Sequence, residues 1–233
     1  MPSTAKAERT WARRFASRVG QHRDVTEVEL PPVEPVVAAS LAVFQLGESG
    51  TGEHLLAAAR RAEADDDHVT ALGHFVAEEQ EHARMLQVVL DTWGWPLRTS
   101  HWSDRIFVAI RRAHSLRTEV LVLMVAEVVA LTYYSALRDG IGVAALRDVF
   151  ARIHADEVLH VDFHCQTLPP HLRRFPPLVR AVARLLWSVL VTGASVAVAA
   201  SHRRALRHVG MSPWTFVRRV AADRRHVSRR LFD

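Results

Sequence analysis

The chain has 233 residues, 49% of them hydrophobic and 24% charged, which suits one large globular domain with appendages and excludes a disordered chain. Its formal charge of +5 is uneven: residues 170–233 hold thirteen Arg against Asp223 and Asp233, a net of +11, so residues 1–169 net −6. A single cysteine, Cys165, excludes a disulfide framework, a Cys-ligated zinc site and a rubredoxin-type iron centre, and it fits a reducing, cytoplasmic setting.

Residues 1–30 carry scattered charges and no apolar core segment, unlike a secretory signal. Residues 5–20 predict a short basic helix, and Pro31, Pro32 and Pro35 predict an extended linker after it. A long helical pattern covers 36–64. Asp65, Asp66 and Asp67 break it and offer a cap to a second helix over 68–92, which Trp93-Gly94-Trp95-Pro96 stops. A connection of some 25 residues follows, with a short helix near 103–114. The third helix spans 116–138 and ends at Asp139-Gly140-Ile141-Gly142; the fourth spans 143–167. A Pro-rich loop leads to a fifth helix over 178–208. Its segment 185–200 has no charge, yet it is short of the ~20 residues that a membrane span needs. It reads as a buried helix, or as one that lines a hydrophobic substrate entrance or lies on a membrane. Ser212 and Pro213 open a sixth, Arg-rich helix as N-cap and first helical residue. No strand is expected, so the fold class is all-α. The division is 1–35 as basic helix and linker, 36–168 as a four-helix bundle of two hairpins with a long crossover, and 169–233 as further helices packed on it.

The chemistry lies in the second and fourth helices. FVAEEQEHARML contains Glu79-x-x-His82 and IHADEVLHVDFH contains Glu157-x-x-His160. Spacing i, i+3 puts each pair on one helix face. Chance alone supplies about 0.8 such pairs in a chain of this composition, so the pairs by themselves decide nothing. Their companions do. Glu48 lies 31 residues before Glu79 and Glu127 lies 30 before Glu157, each in the preceding helix of its hairpin. The two halves look like a diverged repeat. Glu127 is the only charged residue in LVLMVAEVVALTYYSAL, a run apolar enough to be buried. A buried carboxylate costs several kcal/mol unless it is paired or protonated. Four such carboxylates balance two divalent cations, and two neutral imidazoles complete the coordination. Glu53 is an alternative to Glu48, but aligning the hairpins sets Glu48 on Glu127 and Glu53 on Thr132.

E…ExxH…E…ExxH on four helices resembles the ferritin-like di-iron carboxylate superfamily over about residues 36–167. The resemblance implies that Glu48, Glu79 and His82 serve one iron, that Glu127, Glu157 and His160 serve the other, and that Glu79 and Glu157 bridge. It also implies a hydrogen bond between Asp156, which precedes the last ExxH Glu, and His82 across the bundle; Glu78 is matched with His160 by analogy. Such partners set tautomer and basicity. The segment Leu46-Gly47-Glu48-Ser49-Gly50 resembles the AGEYG segment of demethoxyubiquinone hydroxylases. The extra histidine of arylamine N-oxygenases is replaced here by Ile153. His154 and His164, at i−3 and i+7 from Glu157, and Tyr134, at i+7 from Glu127, are further residues on the approach to the site. His74 reads as a core or surface histidine.

The implied activity is an O2-dependent di-iron oxidase or monooxygenase acting on a small apolar or amphipathic organic substrate, with electrons from an external donor. The same ligands would serve Mn/Fe. Rival readings are a ferroxidase or iron-handling protein, and a helical protein without catalysis that binds an anion or RNA. The Arg-rich end reads as a solvated face or as a site for RNA, an acidic carrier protein or anionic lipid. A second copy, as in a homodimer, is a further partner reading. No phosphate-binding loop occurs.

Overall fold

A computed structural model describes residues 10–18, 30–31, 33–101 and 116–233. Within them every regular element is a helix. In chain order these are α1 (Trp11–Ala16), α2 (Pro35–Glu48), α3 (Glu53–Arg61), α4 (Asp66–Thr92), α5 (Leu116–Gly140), α6 (Ala144–Thr167), α7 (Pro169–Leu172), α8 (Pro177–Ser201), α9 (Arg203–His208) and α10 (Pro213–Phe232). The expected helix at 103–114 lies outside the described residues, as do the ends of the basic helix expected over 5–20.

Local chemistry sets the boundaries. The Asp65 side chain accepts from His68 N at 2.8 Å and starts α4. Ser212 accepts from Thr215 N at 3.0 Å and, with Pro213 at the first position, starts α10. Two expected helices are each split in two. The pattern over 36–64 breaks at Ser49–Gly52, where Gly52 adopts φ +67° and a Cβ would collide with Val76 of α4. The pattern over 178–208 breaks at His202, which leaves helical geometry at φ −101°, ψ 13°. Its ring instead meets the Ser40 hydroxyl of α2, with Nδ1 2.7 Å from Oγ.

The α2–α4 and α5–α6 hairpins pack face to face, with α1 lying along α4. Leu41, Leu72, Leu86, Met124, Leu137 and Phe150 are fully buried between them. Each such side chain contributes about 1.5–3 kcal/mol relative to exposure. α8 and α10 pack on each other and on α5. Asp162 of α6 links α1 to α10, accepting from Arg14 at 3.1 Å and from Arg230 at 2.5 Å.

Among the described residues two helices, α5 and α8, are long and apolar enough to cross a membrane by length and composition, and packing separates them. α5 is 78% buried over its apolar window, whereas α8 is 17% buried.

Candidate metal centre

Two overlapping groups of side chains converge between the hairpins. Glu48, Glu79, His82 and Glu157 form one; Glu79, Glu127, Glu157 and His160 form the other. In each group the ligand atoms all lie within 4.8 Å of one another, close enough to hold a metal ion. Glu79 and Glu157 belong to both, so they stand where bridging ligands would stand. α2 and α5 each bring one Glu, and α4 and α6 each bring a Glu and a His one helical turn apart. Glu53 is exposed at the start of α3 and belongs to neither group.

The histidines point the same way round. His82 Nε2 lies 3.1 Å from Asp156 Oδ2, and His160 Nε2 lies 2.9 Å from Glu78 Oε2. Each carboxylate accepts a hydrogen bond from Nε2–H in the neutral imidazole, which leaves the Nδ1 lone pair facing the ligand groups. There, His82 Nδ1 is 3.5 Å from Glu157 Oε1, and His160 Nδ1 is 3.0 Å from Glu79 Oε1 and 3.5 Å from Glu127 Oε2. None of these five buried atoms makes a hydrogen bond. Buried polar atoms without partners are costly. These five lie within the two ligand groups, and a metal ion would give them partners.

With no cation bound, the site holds protons. Burial pushes Glu48 well above the ordinary carboxylate range, and the Glu79 and Glu157 charges push it further. Burial does the same to Glu127, again helped by Glu157 and Glu79. For Glu79 burial is outweighed by His160 and His82, which bring it down to about 2. Burial takes His82 down to about 4. His160 also resists charging by burial, but Glu127, Glu157, Glu78 and Glu79 surround it and hold its pKa well above the usual value.

The surroundings add contacts that spacing does not reveal. The Tyr134 hydroxyl donates to Glu48 Oε1 at 2.6 Å. Arg18, just past α1, donates through Nη2 to Asp156, and its Nε lies 3.5 Å from Glu78 Oε1. One guanidinium thus faces both carboxylates that orient the histidines. Arg152 also approaches Asp156, at 3.8 Å. The only sequence signal for Arg18 was indirect: Glu78 and Asp156 demand a counter-charge, and the acidic half of the chain has a basic leader. Glu119, fully buried two turns before Glu127, pairs with His54 Nδ1 at 2.9 Å and is a second residue that sequence reasoning missed.

His164 is fully buried against Phe75 and Phe163, with neither ring nitrogen hydrogen-bonded; it belongs to neither group, and burial takes it down to about 3. His154 is half-buried near Asp139 and Asp223 and also stands apart, as does His74. No protein-family model, no curated protein and no solved structure matches the chain.

Proposed function

We propose that the chain is a ferritin-like di-iron oxidoreductase, an oxidase or monooxygenase that uses O2 on a small apolar or amphipathic organic substrate in the cytoplasm. The observation that carries this reading is the sharing of Glu79 and Glu157 between two ligand groups whose imidazole Nδ1 atoms face inward without partners.

Glu48, Glu79 and His82 would hold one ion, and Glu127, Glu157 and His160 the other. When bound, the ion pair supplies reductive activation of O2, with electrons from an external donor. The chain's own residues do the rest. Asp156 and Glu78 fix the histidine tautomers, and Arg18 compensates their charge. Tyr134 holds Glu48 by one oxygen, and the other would be available to an ion. Phe75 lies edge-on to the His160 ring at 4.7 Å and Phe15 is 6.1 Å away, so the His160 side is walled by apolar surface that excludes water. Without an ion, Glu48 and Glu127 hold protons more tightly than ordinary carboxylates, so ions and protons would compete for them.

The test is anaerobic loading with Fe(II), with elemental analysis also scoring Mn because the same ligands serve both metals. Two ions per chain are expected, and Glu79→Ala or Glu157→Ala should abolish the pair. Binding well below two per chain would overturn the reading.

A further inference from the structure

α8 is a helix with one face in the protein and one face in solvent, and the solvent face is the oily one. Trp187, Val191, Ser195 and Ala199, spaced four apart, pack inward against the neighbouring helices. On the opposite side Leu178, Val182, Leu185, Leu186, Val189 and Val196 form a stripe along the whole helix, with Leu178 76%, Leu185 63% and Val189 60% exposed. No charged residue interrupts it. From Leu178 to Val196 the stripe is about 27 Å long, far more contiguous apolar surface than a lone surface leucine explains.

Its ends are basic. Arg173 and Arg174 precede it; Arg203, Arg204 and Arg207 follow it, all exposed. Beyond its C-terminal end a cavity of about 500 Å³ is lined by Arg98, His101, Arg203 and Arg204, with His202 and Ser40 also in its wall. α10 runs alongside with more exposed Arg, and Trp214 at its start is 70% exposed. The two acidic residues of this region are already partnered, Asp233 with Arg184 of α8 and Asp223 with Thr132.

We propose that this face docks the protein on the surface of a bilayer containing anionic lipids, with α8 lying in the interface plane. An oily stripe alone fits several occupants; the charge selects one. A second copy laid along α8, in either direction, would bring Arg-rich ends together and repel. An anionic bilayer takes the stripe into its acyl boundary and meets the flanking Arg with phosphates, one of which fits the Arg-lined cavity. α8 lies on the membrane rather than crossing it, because its inner face is packed against α10, whose arginines a span would drag into hydrocarbon. The proposal stands apart from the metal centre, since no residue of the stripe is a ligand.

The experiment is co-sedimentation of the full chain with phosphatidylcholine vesicles, with and without phosphatidylglycerol, at low and high salt. Binding is expected to the anionic vesicles, at least about tenfold weaker to the neutral ones, and weakened by salt. The double variant Leu185→Glu/Val189→Glu, at exposed positions and with an unchanged thermal melt, should lose binding about tenfold or more. Arg203→Glu/Arg204→Glu should lose affinity only for the anionic vesicles and flatten the salt dependence. Absence of wild-type binding, equal binding to neutral vesicles, or unchanged binding of the Leu185→Glu/Val189→Glu variant overturns the proposal. So does a solution dimer that this variant splits into monomers, which would make a second copy the occupant.

Discussion

The Tyr134 hydroxyl donates to Glu48 Oε1 at 2.6 Å, linking α5 of one hairpin to α2 of the other at the edge of the ligand groups. Tyr134→Phe keeps the ring packing and removes the donor. The Glu48 oxygen is then left without a partner in an apolar setting. A loss of about 1–2 kcal/mol in unfolding free energy is expected by chemical denaturation. Ion stoichiometry should stay at two per chain, with weaker affinity at the Glu48–His82 position.

Asp156→Asn and Glu78→Gln separate the two positions. Asp156 sets the His82 tautomer and Glu78 sets that of His160, so each substitution should weaken mainly its own position. The expected loss is about 10–100-fold in ion affinity. Titration with Mn(II), followed by paramagnetic resonance, should show one tight and one weakened site in each variant. Equal weakening of both sites in both variants would contradict the assignment of partners.

Arg18 faces both of those carboxylates at once. Arg18→Ala should therefore weaken the two positions together, by less than either carboxylate substitution, because the Arg18 side chain is 32% exposed and water replaces part of its charge. Arg18→Lys should restore little, since one ammonium cannot reach two carboxylates as a planar guanidinium does. The same titration reads both variants.

Glu127 is expected to destabilise the cation-free protein, because it is buried among carboxylates and carries a raised proton affinity. Glu127→Gln removes that cost and keeps the shape. The cation-free variant should melt higher than the cation-free wild type, by roughly 2–4 °C for each kcal/mol recovered. It should also lose most of the stabilisation that Fe(II) or Mn(II) gives the wild type. A residue with a purely structural role would lower the melting temperature instead.

The pH dependence has a definite sign. Cation binding needs Glu48 and Glu127 ionised and His160 neutral, and all three hold protons more tightly than usual without a cation. Binding therefore expels protons, and affinity rises with pH over the range in which these groups titrate. His82, held at about 4, is already neutral there and contributes none. Calorimetric titration in buffers of different ionisation enthalpy should show net proton release, falling as pH is raised. Proton uptake would refute this picture of the cavity.

What could be read from the chain alone is local or periodic. An i, i+3 Glu–His pair occupies one face wherever the backbone is helical, so the repeated ExxH and its companions 31 and 30 residues upstream named the six converging side chains. Asp156 came from the family resemblance and Glu78 by analogy with it, and the fold sets each beside the opposite hairpin's histidine. Periodicity names a face but not its neighbour, and there the folded protein decides. Arg18 reaches Asp156 across 138 residues of sequence. The break at Ser49–Gly52 depends on the closeness of Val76, a contact made only when α2 and α4 pack. α5 and α8 are both long and apolar, yet one lies in the core and the other faces outward. Hydrophobicity measures how strongly a helix avoids water, and only the arrangement of its neighbours determines whether protein or something else covers it.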